Sequence, residues 1–173
     1  MKIFLFIFIL KSTIFAGDIS FSNKDVSQIY KVICDSVIRY LDNDTFINIS
    51  DYVFIIDEAE NHDIPFIKER YSPKQDTAAL DVDLFCASFK SILNNNIYKK
   101  TSWKEREQYG NRIQFSASPL ISYENNGQMH AKTYFEFTAV SRNGVGGSGW
   151  LFILKRKNYY WIIDKIYQLV SIY

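Results

Sequence analysis

The sequence has few of the residues that build metal centres and catalytic sites. Its 173 residues include two cysteines, Cys34 and Cys86, and two histidines, His62 and His130. These four residues do not show the close spacing that a metal site requires. A serine nucleophile needs a nearby general base, and the chain has no G-x-S-x-G motif to present such a serine. We therefore predict no metal, no cofactor and no catalytic residue.

The chain also lacks an excess of charge of either sign. It carries 20 Lys and Arg residues against 19 Asp and Glu residues, which gives a formal net charge of +1. Binding to a phosphate backbone needs a strongly basic surface. We therefore expect a protein or a small ligand as the partner, and no nucleic acid.

Glycine and proline are scarce, with seven and three residues, whereas aromatic residues make up 17% of the chain. Disordered chains have the opposite composition, because they contain too few apolar groups to form a core. The composition therefore indicates a packed globular protein that is rich in β-structure.

The apolar run near the start of the chain is too short to cross a bilayer. It extends from Ile3 to Leu10 and is followed by Lys11, whereas a spanning helix needs about 20 residues. With Lys2 before the run and Ala16 after it, the segment has the layout of a secretory signal peptide. We predict cleavage after Ala16, with residues 17–173 as a single exported domain in the periplasm or outside the cell and no stable membrane span. The alternative is an uncleaved amphipathic anchor.

The two cysteines leave two interpretations open. In an exported protein, Cys34 and Cys86 are candidates for a disulfide. That bond would close a loop of about 50 residues and contribute about 3 to 4 kcal/mol. Each cysteine also lies in an apolar helical pattern, which is typical of a small buried side chain.

The first half of the chain has helical periodicity. Residues 23–41 place apolar side chains three and four residues apart, and Ser22 with Asp25 forms the S-x-x-D pattern of a capping box. Residues 77–93 predict a second helix, capped by Asp76 or Thr77. A shorter helix is predicted from Ser102, a short strand at residues 52–56, and a loop around His62.

The second half changes to a period of two. In residues 128–140, Ala131, Phe135 and Phe137 alternate with Lys132, Tyr134 and Glu136 in the pattern of a half-buried strand. Asn126-Gly127 before this run is typical of a hairpin turn. Further strand patterns precede Pro119 and follow Gly149, so the sequence predicts an antiparallel meander of three or four strands.

Gly144, Gly146 and Gly149 match the G-x-G-x-x-G spacing of a dinucleotide-binding loop. Such a loop joins a strand to a helix within a βαβ unit, so that the phosphates contact the first amides of the helix. Here a strand pattern follows the glycines, and no βαβ pattern surrounds them. We therefore interpret them as a turn or bulge between antiparallel strands.

The segment "GGSGWLFILKRKNYYWIIDKI" resembles the last strands of nuclear transport factor 2-like (cystatin-like α+β) domains. Trp161, Ile162 and Ile163 occupy the place of the W-x-I core in their closing strand. The segment from Arg112 onward is also similar to uncharacterised small exported proteins of Bacteroidetes. The resemblance implies an α+β fold, with N-terminal helices packed on a curved C-terminal antiparallel sheet. It carries over no site residue, because this class hosts both enzymes and binding modules.

These observations favour a non-catalytic binding or interaction module. One alternative is a small-ligand carrier or hydrolase-like enzyme that uses an aromatic cavity between sheet and helices, with His130 or an acidic residue as base. Another is an immunity or inhibitor protein that acts through the sheet. The candidate pocket residues are His130, Tyr134, Trp150 and Trp161.

Overall fold

The structure, a computed structural model, describes residues 21–43, 47–56, 76–78, 81–93, 97–99 and 110–172. The signal peptide predicted at residues 1–16, the loop around His62 and most of the short helix predicted from Ser102 lie outside these residues.

The described chain contains two α-helices, one short 3-10 helix and eight strands. The helices are α1 (Asn23–Asp42) and α2 (Val82–Lys90), and the 3-10 helix is Ile49–Asp51. The strands are β1 (Val53–Ile56), β2 (Asp76–Ala78), β3 (Ile97–Lys99), β4 (Arg112–Ala117), β5 (Leu120–Asn125), β6 (Gln128–Ser141), β7 (Gly144–Lys157) and β8 (Tyr160–Ile172).

Helix α1 has the start and the buried face that its sequence predicts. The Asp25 backbone N donates to Ser22 Oγ at 3.2 Å, and the Ser22 backbone N donates to Asp25 Oδ2 at 3.1 Å, which is a capping box. The predicted capping box is therefore confirmed. The predicted buried face is also confirmed, because its apolar residues are buried. They are Val26, Ile29, Tyr30, Ile33, Val37 and Leu41.

Helix α2 begins later than predicted, so the assignment of Asp76 or Thr77 as its cap is wrong. Residues 76–78 instead form β2, which pairs with β5. Asp81 is the cap, and its Oδ1 accepts a hydrogen bond from the Leu84 backbone N at 2.9 Å. The pairing of β2 with a strand more than 40 residues away is a long-range contact, and local periodicity carries no information about it.

The described strands form one eight-stranded sheet. Strand β1 pairs in parallel with β3 and β4, and every other pairing among the described strands is antiparallel. The fold class is therefore α+β with a mostly antiparallel sheet, as predicted. Strand β7 lies between β6 and β8.

Strands β4 and β5 both pair with β6. Strand β4 pairs with residues 135–140 of β6, and β5 pairs with residues 128–132. Ser118 and Pro119 separate them, in agreement with the predicted break at Pro119. The predicted turn between β5 and β6 is also confirmed, because Asn126 and Gly127 have φ values of 51° and 73°.

The alternate side chains of β6 and β7 divide the sheet into two faces. We call inner the face that contacts the helices, where the ring centroid of Phe85 in α2 lies 5.7 Å from that of Phe135. In β6 and β7 this face carries Ala131, Thr133, Phe135, Phe137, Ala139, Gly146, Ser148, Trp150, Phe152 and Leu154. The opposite, outer face carries Lys132, Tyr134, Glu136, Gly149, Leu151 and Ile153. Buried residues of both helices and of the inner face form one hydrophobic cluster.

Candidate binding groove

A groove opens where the inner face reaches the turn between β6 and β7. Its volume is about 710 Å³, within the range of small-ligand sites. Its lining comes from the end of α1, the segment around the 3-10 helix, Asn111 and the β6–β7 hairpin. The lining residues used below are Tyr40, Asn48, Asp51, Phe137, Ser141, Arg142, Asn143, Gly146 and Ser148.

The glycine-rich start of β7 gives this groove its depth. Gly146 pairs with Ala139 and Ser148 pairs with Phe137, so small groups fill three of these four inner-face positions. Gly144 follows the turn with a φ of 149°, a value that glycine tolerates best. Gly144 and Gly146 therefore lie at the start of a strand that lines the groove, and no helix follows them in the described chain.

Aromatic rings form the apolar part of the groove. The Tyr40 side chain is 43% exposed, and its ring centroid lies 4.9 Å from Trp150 and 6.2 Å from Phe137. Trp150 and Phe137 stack with centroids 5.2 Å apart. Trp150, one of the predicted pocket residues, is thus buried behind Tyr40, where it supports the exposed ring.

Amide and hydroxyl groups surround these rings. Asn48 Nδ2 donates to Asp51 Oδ2 at 3.0 Å, and Ser50 Oγ donates to Asn48 Oδ1 at 2.9 Å. On the hairpin, the Asn143 backbone N donates to Ser141 Oγ at 3.2 Å. This rim offers donors and acceptors next to an exposed ring, a combination that orients a small ligand.

Trp161 lies on the inner face near the start of α1, where its indole donates a hydrogen bond to the buried Asp25 carboxylate. It is 2% exposed, and its Nε1 donates to Asp25 Oδ1 at 2.9 Å. Burial acts to raise the pKa of Asp25, but hydrogen bonds from Ser22 and Trp161 and the charge of Arg156 outweigh it, so this pKa is lowered. This predicted pocket residue therefore joins β8 to the N-terminus of α1.

His130 and Tyr134 lie on the outer face. The His130 ring stacks on Tyr123 with centroids 5.2 Å apart, and Lys132 Nζ lies 4.9 Å from the centroid of the same Tyr123 ring. Tyr134 Oη donates to Glu136 Oε2 at 2.9 Å. Burial, together with this hydrogen bond, raises the pKa of Tyr134.

The four predicted pocket residues thus lie on two faces of the sheet, and the described groove does not bring them together. Of the four, only Trp150 contacts the groove, through Tyr40 and Phe137. No sequence pattern indicated Tyr40 or the rim residues Asn48 and Arg142 as part of a site. One feature of the sequence does point to the groove. The glycines at the start of β7 form an unusual run in the sequence, and Gly144, Gly146 and Gly147 line the groove.

The two cysteines lie in the core between the helices. Cys34 of α1 and Cys86 of α2 are both buried, and the helices meet where the Tyr30 and Phe85 ring centroids are 5.0 Å apart. Burial, with a smaller contribution from Cys86, raises the pKa of the Cys34 thiol well above its ordinary value. Their pairing in a disulfide stays a prediction.

Comparisons of the chain with family models, with curated protein sequences and with solved structures found no match. The resemblance to nuclear transport factor 2-like domains therefore stays a prediction. Across the described part of the chain, no helix has both the length and the apolar character needed to cross a membrane. Within that same part, no three His, Cys, Asp or Glu side chains are grouped so that they could hold a metal ion.

Proposed function

We propose that this protein is an exported, non-catalytic binding module and that its ligand occupies the groove at the β6–β7 end of the inner face. The observation that carries this proposal is an exposed aromatic ring, Tyr40, beside a rim of amide and hydroxyl groups in a groove of about 710 Å³. Pockets of this size with an apolar part and a few polar groups are typical small-ligand sites.

The chemistry of the lining favours a neutral, polyhydroxylated ligand such as a short saccharide. The Tyr40 ring offers a flat apolar surface on which the C–H face of a sugar ring can pack. Asn48, Ser141 and Asn143 supply donors and acceptors for hydroxyl groups. Asp51 and Arg142 carry opposite charges, so the lining has no net charge that would select an ionic ligand.

Binding fits this lining better than hydrolysis does. Asp51 is the single carboxylate among the described lining residues, and it already accepts a hydrogen bond from Asn48. A hydrolase that used His130 as its base would need that histidine near the ligand. His130 instead pairs across the strands with Lys155 and Tyr123 on the outer face.

We further propose that the sheet curves around the helices within a single domain of residues 17–173, after a signal peptide at residues 1–16. Two features support the curvature. Strand β8 has register shifts opposite Gly149/Trp150 and Ile153/Leu154, and Pro119 interrupts the ladder between β4 and β5. Bulges of this kind bend and twist a sheet.

The test is a thermal-shift titration of the purified protein with a panel of neutral mono- and oligosaccharides. A saccharide present at 100 times its dissociation constant stabilises the folded state by about 2.7 kcal/mol. We expect stabilisation of the native protein, retention in Tyr40→Phe, which keeps the ring, and loss in Tyr40→Ala. Tyr159→Ala is the matched control, because Tyr159 is an exposed tyrosine at the β7–β8 turn.

Two results would overturn the proposal. One is that no saccharide stabilises the protein, and the other is that stabilisation survives in Tyr40→Ala. Chromatography of the saccharide after incubation adds a separate measurement. Release of shorter sugars would favour the enzyme alternative over a binding module.

A further inference from the structure

Strand β8 is an edge of the sheet among the described strands. It extends over 13 residues, Tyr160–Ile172, and pairs along one side with β7. None of the other described strands pairs with its second side. The backbone donors and acceptors on an edge of this kind can pair with a strand from another molecule.

Exposed apolar side chains are concentrated on this strand. Among the described residues, five of the eight exposed large hydrophobic residues belong to β8. They are Tyr160, Ile162, Ile166, Tyr167 and Leu169. They lie on both faces of the strand, since Ile166 is opposite Phe152 of the inner face and Tyr167 is opposite Leu151 of the outer face. Exposed apolar side chains along a long edge strand favour pairing with another strand.

The middle of β8 is regular enough to pair. Residues 165–168 follow β7 in continuous register, and the shifts lie on either side of them, at Asp164 and Leu169. The Asp164 carboxylate forms an ion pair with Lys155 of β7. Because this carboxylate is paired within its own sheet, it does not place an unpaired charge beside Ile166 and Tyr167 of the central run.

We propose that β8 pairs antiparallel with β8 of a second copy of this chain, about a two-fold axis at Ile166. In this register Ile166 lies opposite Ile166 of the second copy, and Lys165 lies opposite Tyr167 of the second copy. Both pairs are favourable, since the first is apolar and the second places an ammonium group beside an aromatic ring. The proposal is independent of the ligand in the groove.

Neighbouring registers are less favourable. A two-fold axis at Lys165 would place two like charges opposite each other, which destabilises a strand pair. An axis at Tyr167 would place the charged Lys165 opposite the apolar Leu169 and Ile166 opposite the polar Gln168, so neither pair would be favourable. Without residues 1–16, which contain Lys2 and Lys11, the chain has 18 Lys and Arg residues against 19 Asp and Glu residues, so two copies approach each other without strong repulsion.

The first test measures the oligomeric state by sedimentation velocity at concentrations up to about 100 µM, which detects dissociation constants in the micromolar range. We expect a dimer for the native protein and a monomer for Ile166→Asp, because that substitution places two carboxylates opposite each other. Tyr159→Asp is the matched control and should stay dimeric. A monomeric native protein, or a dimer that is unchanged in Ile166→Asp, would overturn the proposal.

The second test measures the register and does not depend on the stability of Ile166→Asp. Directly opposed residues of antiparallel strands have Cα atoms about 4.5 to 5.5 Å apart, a separation that a disulfide can bridge. Ile166→Cys should therefore form a covalent dimer on mild oxidation, with the linked peptide identified by mass spectrometry. Ile162→Cys should not, because residue 162 lies four positions from the axis and beyond the register shift at Asp164. Linkage through residue 162 and not through residue 166 would exclude the proposed register.

Discussion

Replacement of Asp25 by alanine tests how the start of α1 is held to the sheet. The Asp25 carboxylate is 7% exposed. It accepts hydrogen bonds from the Ser22 backbone N at 3.1 Å and from Trp161 Nε1 at 2.9 Å, and it lies 3.6 Å from Arg156 Nη2. One side chain therefore completes the capping box of α1 and satisfies a buried indole on β8.

The expected loss of stability follows from these contacts. A helix cap contributes about 0.5 to 2 kcal/mol, and a hydrogen bond to a charged group contributes about 1.5 to 3 kcal/mol. The two contributions share one carboxylate and do not add fully, so we expect Asp25→Ala to lower the free energy of unfolding by about 2 to 4 kcal/mol. The control is Asp35→Ala, because Asp35 pairs with Arg39 on the surface of the same helix. It should cost less than about 0.5 kcal/mol.

Urea unfolding followed by far-UV circular dichroism measures these differences without relying on tryptophan fluorescence, which the mutation itself alters. A double-mutant cycle with Trp161→Phe should give a coupling of about 0.5 to 3 kcal/mol, as expected for residues in contact. Equal losses for Asp25→Ala and Asp35→Ala, or no coupling with Trp161, would refute the reasoning.

The same carboxylate predicts a dependence on pH. Its pKa in the folded state is lowered, so the folded protein binds this proton less tightly than the unfolded chain does. The stabilisation is therefore fully present above the unfolded pKa of about 4 and is lost as the pH falls through the lower folded value. Asp25→Ala should show a smaller loss of stability between neutral and acid pH than the native protein, and an unchanged loss would count against this assignment.

Three further changes have defined outcomes. In Gly149→Ala the new Cβ would collide with Tyr134 Oη, so we expect urea unfolding to show a free energy of unfolding lower by about 1 to 3 kcal/mol. A double variant that also has Tyr134→Phe should recover part of this loss, and an unchanged free energy of unfolding in Gly149→Ala would contradict the packing. Non-reducing mass spectrometry of the exported protein distinguishes the two interpretations of the cysteines: a Cys34–Cys86 link would establish the disulfide, whereas two alkylatable thiols after unfolding would establish two buried thiols. Burial lowers the pKa of Lys132 to about 8 from its ordinary value of 10.5, so between these pH values the unfolded chain binds this proton more tightly than the folded protein. The free energy of unfolding should therefore rise with pH over this range, and Lys132→Met should remove part of the rise. An equal rise in both proteins would contradict this.

The sequence predicted the features that depend on neighbouring residues. Helix α1 follows from apolar spacing and from a cap three residues away, and the Asn126-Gly127 turn follows from its own backbone preferences. The alternation in β6 correctly separated the buried Phe135 from the half-exposed Glu136. Each of these properties depends on contacts within a few residues.

Features that depend on distant pairing could not be predicted in this way. The start of α2 was misplaced, because residues 76–78 pair with β5. The four candidate pocket residues were grouped by residue type, although alternation alone does not say which face the helices contact. In β8 the two register shifts also change which residues share a face, and nothing in a period of two reveals such a shift.

By itself, the sequence determined the α+β class, helix α1 and the strand-rich second half of the chain, because helical and strand periods are local properties. The tertiary structure decided where the chemistry lies. It placed Trp161 against Asp25 and opened a groove beside Gly146. It also left the apolar residues of β8 on an edge. These outcomes depend on which strands become neighbours, and that choice is made by contacts between residues far apart in the sequence.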